Sequence, residues 1–186
     1  MKVFINPGHS PNGIPDPGAP NYETGLRECD VALNVGKLVA KYLTAAGVAV
    51  TNVLQSDNLL HDSDYNQPCV VDAANASGAD IFISIHCNSA ANQMAQGTET
   101  LVYGAGGKAE KLADCIQKQI VNSLHTVDRG IKYRPELIVL KHTTMPAVLV
   151  ELAFISNTWD EIKLRTKQDD FARAIARGVT DYELAL

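Results

Sequence analysis

Short apolar runs recur along the chain, and each ends at Gly, Pro or a cluster of polar residues. Between several of these runs, apolar residues return at three- and four-residue spacing over longer segments. The runs predict buried strands, and the longer segments predict amphipathic helices. The predicted strands cover residues 2–6, 48–54, 80–86, 98–103, 137–141 and 147–152. The predicted helices cover residues 26–46, 69–77 and 106–124, and further helical segments are predicted over 158–182.

The order of these elements indicates the fold class. Strands that alternate with helices predict an α/β domain with a twisted, mostly parallel sheet and helices on both of its faces. No internal repeat or linker interrupts the pattern, so we expect residues 1–186 to form a single domain without a second binding module. Two polar segments separate the elements: residues 10–25, rich in Pro, Gly and Asn, and residues 55–67. The first is a long loop, and long loops within compact domains usually have a function.

The composition narrows the classes of protein to consider. Hydrophobic residues make up 46% and charged residues 20%, which is typical of a globular domain. No apolar run approaches the roughly 20 residues of a transmembrane helix, so we expect no membrane span. The net charge of -5, with the 16 basic residues dispersed, argues against a nucleic-acid groove. The N-terminal segment lacks the pattern of a signal peptide. We expect the protein to be a monomer.

The four cysteines indicate free thiols rather than disulfides. Cys29, Cys69, Cys87 and Cys115 show no CxxC spacing, and each lies in an apolar segment. Buried free thiols are common in a domain with a core of this size, whereas disulfide frameworks are typical of small secreted chains.

Four ionisable residues occur where strands end or helices begin. His9 follows the first predicted strand, His86 ends the central one, and Glu151 lies near the end of the last one. Glu28 begins the helix after the first strand. Because ligands gather at the carboxyl ends of the strands in such sheets, we expect these four side chains to converge on one edge. Two imidazoles and a carboxylate form a ligand set for a catalytic zinc ion, and a second carboxylate is the general base that a zinc hydrolase requires.

Glu28 also has a simple structural explanation, since the helix dipole favours a Glu in the first helical turn. The apolar stripe of the helix, extended back by one turn, places Glu28 on the core side, where an unpaired carboxylate is costly. This position favours a ligand role. Glu23, in the preceding loop, remains an alternative ligand because nothing in the pattern determines the direction of its side chain.

The sequence pattern supports a ligand role to a different degree for each histidine. His86 lies next to the polar Asn88 and Ser89, although a histidine at a strand end is often a core residue. Cys87 is an alternative ligand, but strand alternation turns it away from His86. His9 follows a Gly that permits a tight turn, although it also fits an ordinary loop. Three further histidines have structural explanations: His61, His125 and His142. Of these, His142 could also contact substrate.

Glu151 interrupts an otherwise apolar strand. A Glu is almost never fully buried unless it is paired. One explanation is a structural salt bridge with Arg129 or Arg134. The other is catalysis, because burial that raises the pKa of Glu151 would suit a general base near neutral pH.

Five segments of the chain, in order, resemble the type-3 group of zinc-dependent N-acetylmuramoyl-L-alanine amidases, which occur among bacterial cell-wall hydrolases and phage endolysins. The likeness extends over nearly the whole chain, which makes it more specific than any single motif. The segments are NPGH at 6–9, GLRECD at 25–30, SIHCN at 84–88, RGI at 129–131 and MPAVLVELAFISN at 145–157.

This resemblance implies that His9, Glu28 and His86 bind one catalytic Zn²⁺ ion and that Glu151 is the catalytic glutamate. It implies hydrolysis of the amide between N-acetylmuramic acid and L-alanine in the peptidoglycan of the bacterial cell wall. From the sequence itself we expect no separate cell-wall-binding module. The substrate-binding residues are not assigned. Because the N-terminal segment does not match a signal peptide, we expect that the enzyme is made in the cytoplasm and released by lysis, or that the chain is an excised domain of an exported protein.

Two other functions remain open from the sequence. One is a zinc peptidase that acts on ordinary peptides, although the HExxH signature is absent. The other is a non-catalytic peptidoglycan-binding module with a structural zinc site. Structural sites have four protein ligands, and only three convincing ligands are present here.

Overall fold

The computed structural model describes residues 1–62 and 66–186. Part of the polar segment predicted over 55–67 therefore lies outside the described residues. Within the described ranges the strands are β1 (Lys2–Pro7), β2 (Ala49–Val53), β3 (Ile81–Asn88), β4 (Thr98–Val102), β5 (Asp128–Tyr133) and β6 (Ala147–Phe154). The α-helices are α1 (Glu28–Ala45), α2 (Val70–Ala76), α3 (Gly107–Leu124), α4 (Ile138–His142), α5 (Thr158–Thr166) and α6 (Gln168–Leu184).

The strands form one sheet in the order β2-β1-β3-β6-β4-β5. The first four of these run parallel, β4 pairs antiparallel with β6, and β5 pairs parallel with β4. The prediction of a mostly parallel sheet is confirmed. The carboxyl ends of β1, β3 and β6 and the amino ends of β4 and β5 therefore lie at one edge, which we call the site edge.

Helices cover both faces of the sheet, as predicted. On one face α1, α3 and α6 enclose the larger core, which includes Ile83 and Val150 from the central strands. On the other face α2 and α4 enclose a smaller core around Phe82 and Leu149. Burial of each such side chain stabilises the fold by roughly 1.5–3 kcal/mol. Successive side chains of β3 and β6 point alternately to the two cores. This alternation determines which side chains of these strands lie at the site edge.

The predicted strand over 137–141 is wrong, because this segment forms the helix α4. A short apolar run does not by itself distinguish a strand from a buried helical segment. Val139 and Leu140 pack in the smaller core, and α4 contacts β6 from above the sheet. The run therefore covers the sheet instead of extending it.

The hydrophobic pattern of the sequence does not predict the strand β5. Its residues, DRGIKY, are mostly polar, and Ile131 packs against the larger core from a partly buried position. β5 lies at the end of the sheet, where it pairs with β4 alone. An edge strand in this position needs few apolar side chains, so hydrophobic periodicity does not reveal it.

The long loop between β1 and α1 folds back over the beginning of α1. The backbone N–H of Glu28 donates to the carbonyl of Ala19 (3.0 Å), and that of Cys29 donates to the carbonyl of Pro17 (3.1 Å). These bonds satisfy N–H groups that have no acceptor within the helix. The loop thereby places the first residue of α1 against the site edge.

Two further predictions concern the described residues. All four cysteines are free, as expected, and three are buried while Cys115 is partly exposed. None of the helices in the described ranges is long and apolar enough to cross a membrane.

Candidate metal centre

The turn after β1 brings His9 to the site edge. Gly8 N donates to the carbonyl of Ile85 on β3 (2.9 Å), which continues the pairing of β1 with β3 by one residue. His9 then adopts a left-handed backbone conformation with φ of 67°. The glycine is required for a different reason from the tight turn we expected. A Cβ at Gly8 would lie 2.2 Å from Cε1 of His86, so only glycine leaves room for that ring.

Glu28 is the first residue of α1 and is 4% exposed. Its carboxylate is held on both oxygens: Oε2 accepts from the backbone N–H of Ala19 (2.8 Å), and Oε1 accepts from that of Cys87 (2.9 Å). This arrangement goes beyond a helix-dipole role, because the side chain points into the protein and connects the loop, α1 and β3.

His9, Glu28 and His86 form one compact cluster. Glu28 Oε1 lies 2.9 Å from His9 Nε2 and 2.9 Å from His86 Nδ1. The three donor atoms all lie within 4.8 Å of one another, and no second group of this kind occurs among residues 1–62 and 66–186. The structure thus brings together the three residues proposed from the sequence as metal ligands.

The carboxylates and the imidazoles in this cluster stabilise each other's charged forms. Burial works against ionisation of Glu28, but the imidazoles of His86 and His9 hold the pKa of its carboxyl well below the ordinary range. Burial likewise lowers the pKa of His9, but the carboxylates of Glu28 and Asp16 outweigh it and raise the pKa to about 9. Without a metal ion, a proton on His9 therefore supplies part of the positive charge that the carboxylates need.

Asp16, in the long loop, orients His9 and was not singled out from the sequence. Its Oδ2 lies 2.7 Å from His9 Nδ1, and its Oδ1 accepts from the backbone N–H of Gly18 (2.8 Å). A carboxylate on one ring nitrogen of a histidine directs the other nitrogen towards a metal. The sequence signal was weak, since Asp16 is one of many polar residues in a loop rich in Pro and Gly.

The geometry of His9 Nε2 tests whether the cluster suits a metal ion. This atom is buried and lies near Glu28 Oε1, yet it makes no hydrogen bond with any described residue. A buried polar atom without a hydrogen bond is costly unless another partner satisfies it. Two imidazole nitrogens and a carboxylate oxygen are ordinary zinc donors, and three of them leave an open position. The residues present therefore fit a catalytic zinc ion.

Glu151 lies beside this cluster, in register with His86 across the β3–β6 pair. Its Oε2 is shielded from solvent and has no hydrogen-bond partner among the described residues. Burial, with help from the carboxylates of Glu28 and Glu99 and against the imidazoles of His86 and His9, raises the pKa of Glu151 to about 7.

The alternative of a structural salt bridge for Glu151 is wrong for both candidate arginines. Arg129 pairs with Glu99 instead (Nε to Oε2, 2.8 Å), and Arg134 pairs with Glu136. The Glu151 side chain is thus half-buried, with a fully shielded Oε2 and no paired cation among the described residues, which is unusual for a structural glutamate. Perturbed acids in this setting are typical of functional sites.

The other candidate ligands lie outside the cluster. Glu23 is exposed in the loop, and the Cys87 side chain packs in the larger core, as strand alternation predicted. The remaining histidines are also elsewhere. His61 pairs with Asp72 at the surface, His125 follows the end of α3 with a left-handed backbone, and His142 lies exposed in the last turn of α4.

A cavity of about 200 Å³ opens beside the cluster on the face of the smaller core. Its wall is largely apolar and comes from β6, α4 and the segment after β2, while His9 and His86 form one end. At its floor Ser84 donates to Asn6 Oδ1 (2.8 Å), which keeps these two polar side chains satisfied.

The fold and the donor set together are typical of an α/β metal-dependent hydrolase. Residues 3–181 match the family model described as N-acetylmuramoyl-L-alanine amidase. The chain therefore belongs to the N-acetylmuramoyl-L-alanine amidase family, and the resemblance noted in the sequence is confirmed.

Individual relatives agree with this assignment. The chain is 37% identical over 185 residues to the N-acetylmuramoyl-L-alanine amidase LytC of Bacillus subtilis (strain 168), covering 97% of this chain and 35% of LytC. It is 37% identical over 186 residues to the endolysin of Bacillus phage SPP1, covering 95% of this chain and 62% of that protein. A crystal structure of an N-acetylmuramoyl-L-alanine amidase from Clostridium difficile 630 has a TM-score of 0.82 at 31% identity, covering 99% and 97% of the two chains. The chain thus spans about a third of the length of LytC.

Proposed function

We propose that this chain is a zinc-dependent amidase domain that hydrolyses the amide between the lactyl group of N-acetylmuramic acid and L-alanine in peptidoglycan. Membership of the N-acetylmuramoyl-L-alanine amidase family supports the enzyme class and the substrate class. The observation on which the mechanism rests is the unpaired carboxylate of Glu151 beside the cluster of His9, Glu28 and His86.

His9, Glu28 and His86 would hold the metal ion through Nε2, a carboxylate oxygen and Nδ1, the atoms that meet in the cluster. When bound, zinc supplies Lewis acidity, which polarises a carbonyl group and acidifies water near neutral pH. Asp16 keeps His9 in the orientation that presents Nε2 to the site. The backbone N–H groups of Ala19 and Cys87 hold the Glu28 carboxylate in place, so little reorganisation is needed.

Glu151 would move the protons of the reaction. Amides resist attack by neutral water because resonance stabilises the C–N bond. Oε2 of Glu151 is free to accept a proton from the attacking water and then to donate it to the nitrogen of the departing L-alanine. A pKa of about 7 in the metal-free protein places the proton affinity of Glu151 close to the value that suits both steps.

The Glu151→Gln variant tests this mechanism. It should retain bound zinc, because Glu151 is not a proposed ligand, and it should lose at least roughly a hundredfold in kcat, the scale of general acid–base catalysis. Glu136→Gln, which removes an exposed carboxylate paired with Arg134, is the control and should remain active. The assay measures release of peptide with a free L-alanine amine from muropeptides, by mass spectrometry. A fully active Glu151→Gln enzyme would disprove the mechanism.

The same assay separates the alternatives. A zinc peptidase would cut within the peptide and leave L-alanine attached to muramic acid. A non-catalytic binding module would yield no product, with or without zinc. Loss of the L-alanine-terminated product on addition of a chelator, and its return on addition of zinc, is the result expected for the amidase.

We propose that the protein acts on the bacterial cell wall. The relatives named above include an N-acetylmuramoyl-L-alanine amidase and a phage endolysin, which supports action on the bacterial cell wall by remodelling or by lysis. The monomeric state, the single-domain organisation and the route to the wall stay predictions from the sequence.

A further inference from the structure

A polar cluster beside Glu151 takes no part in the mechanism above. It consists of Asn88 at the end of β3, Glu99 near the beginning of β4 and Arg129 near the beginning of β5. Glu99 accepts hydrogen bonds from Asn88 Nδ2 and from Arg129 Nε, each at 2.8 Å. Glu99 also lies directly opposite Glu151 in the β4–β6 pair, and opposite residues project from the same face of a sheet. The cluster therefore adjoins the reactive centre.

Arg129 is fixed in place but retains unused donors. Its Nε bonds Glu99, and its guanidinium carbon lies 4.9 Å from the ring centroid of Phe154. The side chain is 36% exposed, and no described residue accepts a hydrogen bond from Nη1 or Nη2. A guanidinium in this state presents a planar pair of N–H groups, the geometry that matches a carboxylate.

The distance from the metal cluster suits a residue near the scissile bond. β3, which contains His86, and β4, which contains Glu99, are separated by β6 alone. Two strand spacings correspond to about 10 Å, and an extended peptide covers about 3.3 Å per residue. A peptide that leaves the cluster across β6 therefore reaches Glu99 on β4 within about three residues. The guanidinium of Arg129 extends from β5 to the same place, because it is bonded to Glu99.

The opposite side of the cluster does not suit an anion. The cavity there has a largely apolar wall, and its described lining residues include no lysine or arginine. A negatively charged peptide would avoid that side and follow the sheet towards the cation. The site is therefore asymmetric. Its uncharged part is the cavity, and its cationic part, formed by Arg129, lies over β4 and β5.

We propose that Arg129 binds the free carboxylate of the acidic residue that follows L-alanine in the peptide stem of peptidoglycan. This inference rests on the proposed amidase function and adds a substrate-binding residue to it. Glu99 and Phe154 hold the guanidinium in position, and Asn88 holds Glu99.

Two synthetic N-acetylmuramoyl tripeptides test the inference. Both contain L-alanine, γ-linked D-glutamate and L-lysine amide; the α-carboxylate of the D-glutamate is free in one and converted to a carboxamide in the other. The measurement is kcat/KM for release of the L-alanine-terminated peptide by the zinc-loaded chain. The wild type should prefer the free acid by about 10- to 100-fold, the range of a charge-assisted hydrogen bond.

Arg129→Gln should lower kcat/KM for the free acid by the same factor and leave the carboxamide substrate nearly unchanged. Arg134→Gln is the matched control, since this arginine follows the other end of β5 and pairs with Glu136 away from the site edge. The control should retain the wild-type preference. If Arg129→Gln retained it as well, the inference would be overturned.

A purely structural role of Arg129 predicts a different result. Removing Arg129 leaves the buried Glu99 without its cation, which destabilises the protein. The double variant Glu99→Gln/Arg129→Gln removes both charges and should regain thermal stability. If Arg129 served only to neutralise Glu99, this variant would also regain the preference for the free acid; we expect the preference to stay lost.

Calorimetric binding of the two tripeptides distinguishes failure of the inference from failure of the proposed function. If the zinc-loaded wild type cleaves neither tripeptide, the amidase proposal fails, and tighter binding of the free acid that is lost in Arg129→Gln still supports the carboxylate site. If the wild type cleaves both tripeptides equally well, the amidase proposal stands and the carboxylate site is wrong.

Discussion

The carboxyl group of Glu151 shows how burial changes the chemistry of a single residue. The sequence indicates that this acid is unusual, because it interrupts an apolar strand. The pattern could not exclude a salt bridge, since the two candidate arginines lie far away in the sequence. Only the packed structure shows that both arginines pair with other carboxylates and that Oε2 of Glu151 has no partner among the described residues.

This burial predicts a pH-dependent stability of the metal-free protein. The pKa of Glu151 is about 4.5 in the unfolded chain and rises to about 7 in the folded protein. Below pH 4.5 both states are protonated. As pH rises from 4.5 to 7, the unfolded chain releases its proton first, so the free energy of unfolding falls by up to about 3 kcal/mol. Above pH 7 this contribution is fully lost and no longer changes with pH.

Urea unfolding of metal-free wild type and Glu151→Gln, between pH 4.5 and 8 in the presence of a chelator, measures this effect. The variant has no proton to lose at this position, so its stability relative to the wild type should increase up to about pH 7 and then level off. Titration of the groups that do not interact with Glu151 is shared by both proteins and cancels in the difference. A difference that is constant over this pH range would contradict the burial argument.

At the level of elements, the end of β1 determines the shape of the metal centre. Gly8 continues the pairing with β3, and His9 turns away from the sheet with a positive φ. The ring of His86 occupies the space where any larger residue at position 8 would place its Cβ. The strand end and the ligand on the neighbouring strand are therefore packed as one unit.

Gly8→Ala should weaken zinc binding by at least about tenfold, the lower range for changes that displace a metal ligand from its orientation. The cause is steric: the new Cβ would lie 2.2 Å from Cε1 of His86 and push the ring aside. Gly104→Ala is a suitable control, because a Cβ there meets no atom within 4 Å. Competition of each variant with a zinc-binding dye measures the affinity. Equal affinities of the two variants would show that the ring accommodates the methyl group.

Other elements show where a hydrophobic pattern no longer predicts the secondary structure. Long periodic segments such as those of α1 and α3 were predicted close to their observed bounds, because an amphipathic stripe must bury one face. The short run over 137–141 could not be assigned by the same criterion and proved helical. β5 has little apolar content, so its membership of the sheet depends on pairing with β4 and not on periodicity.

At the scale of the whole molecule, the proposed ligands connect three separate parts of the chain. His9 belongs to the loop after β1, Glu28 to the beginning of α1 and His86 to the end of β3. An ion bound by all three requires the folded arrangement, because the unfolded chain does not hold these groups together. Binding should therefore stabilise the native state.

Zinc at about 100 times its Kd should stabilise the protein by about 2.7 kcal/mol. For a chain of this size that corresponds to an increase in Tm of about 5–10 °C. Glu28→Ala should abolish the zinc-dependent increase, whereas Glu23→Ala, which removes an exposed loop carboxylate, should keep it. Differential scanning fluorimetry with and without zinc measures both variants against their own metal-free forms. A normal zinc-dependent increase in Glu28→Ala would exclude Glu28 as a ligand.

The sequence by itself determined the fold class and the family, and it singled out the four residues proposed to hold zinc and to move protons. Strand and helix periodicities are local properties, and the carboxyl ends of parallel strands necessarily meet at one edge. The tertiary structure alone decided which groups surround those residues: Asp16 on His9, Ala19 and Cys87 on Glu28, and the Glu99–Arg129 pair beside Glu151. These contacts join segments that are distant along the chain, and their geometry follows from the packing of the whole domain.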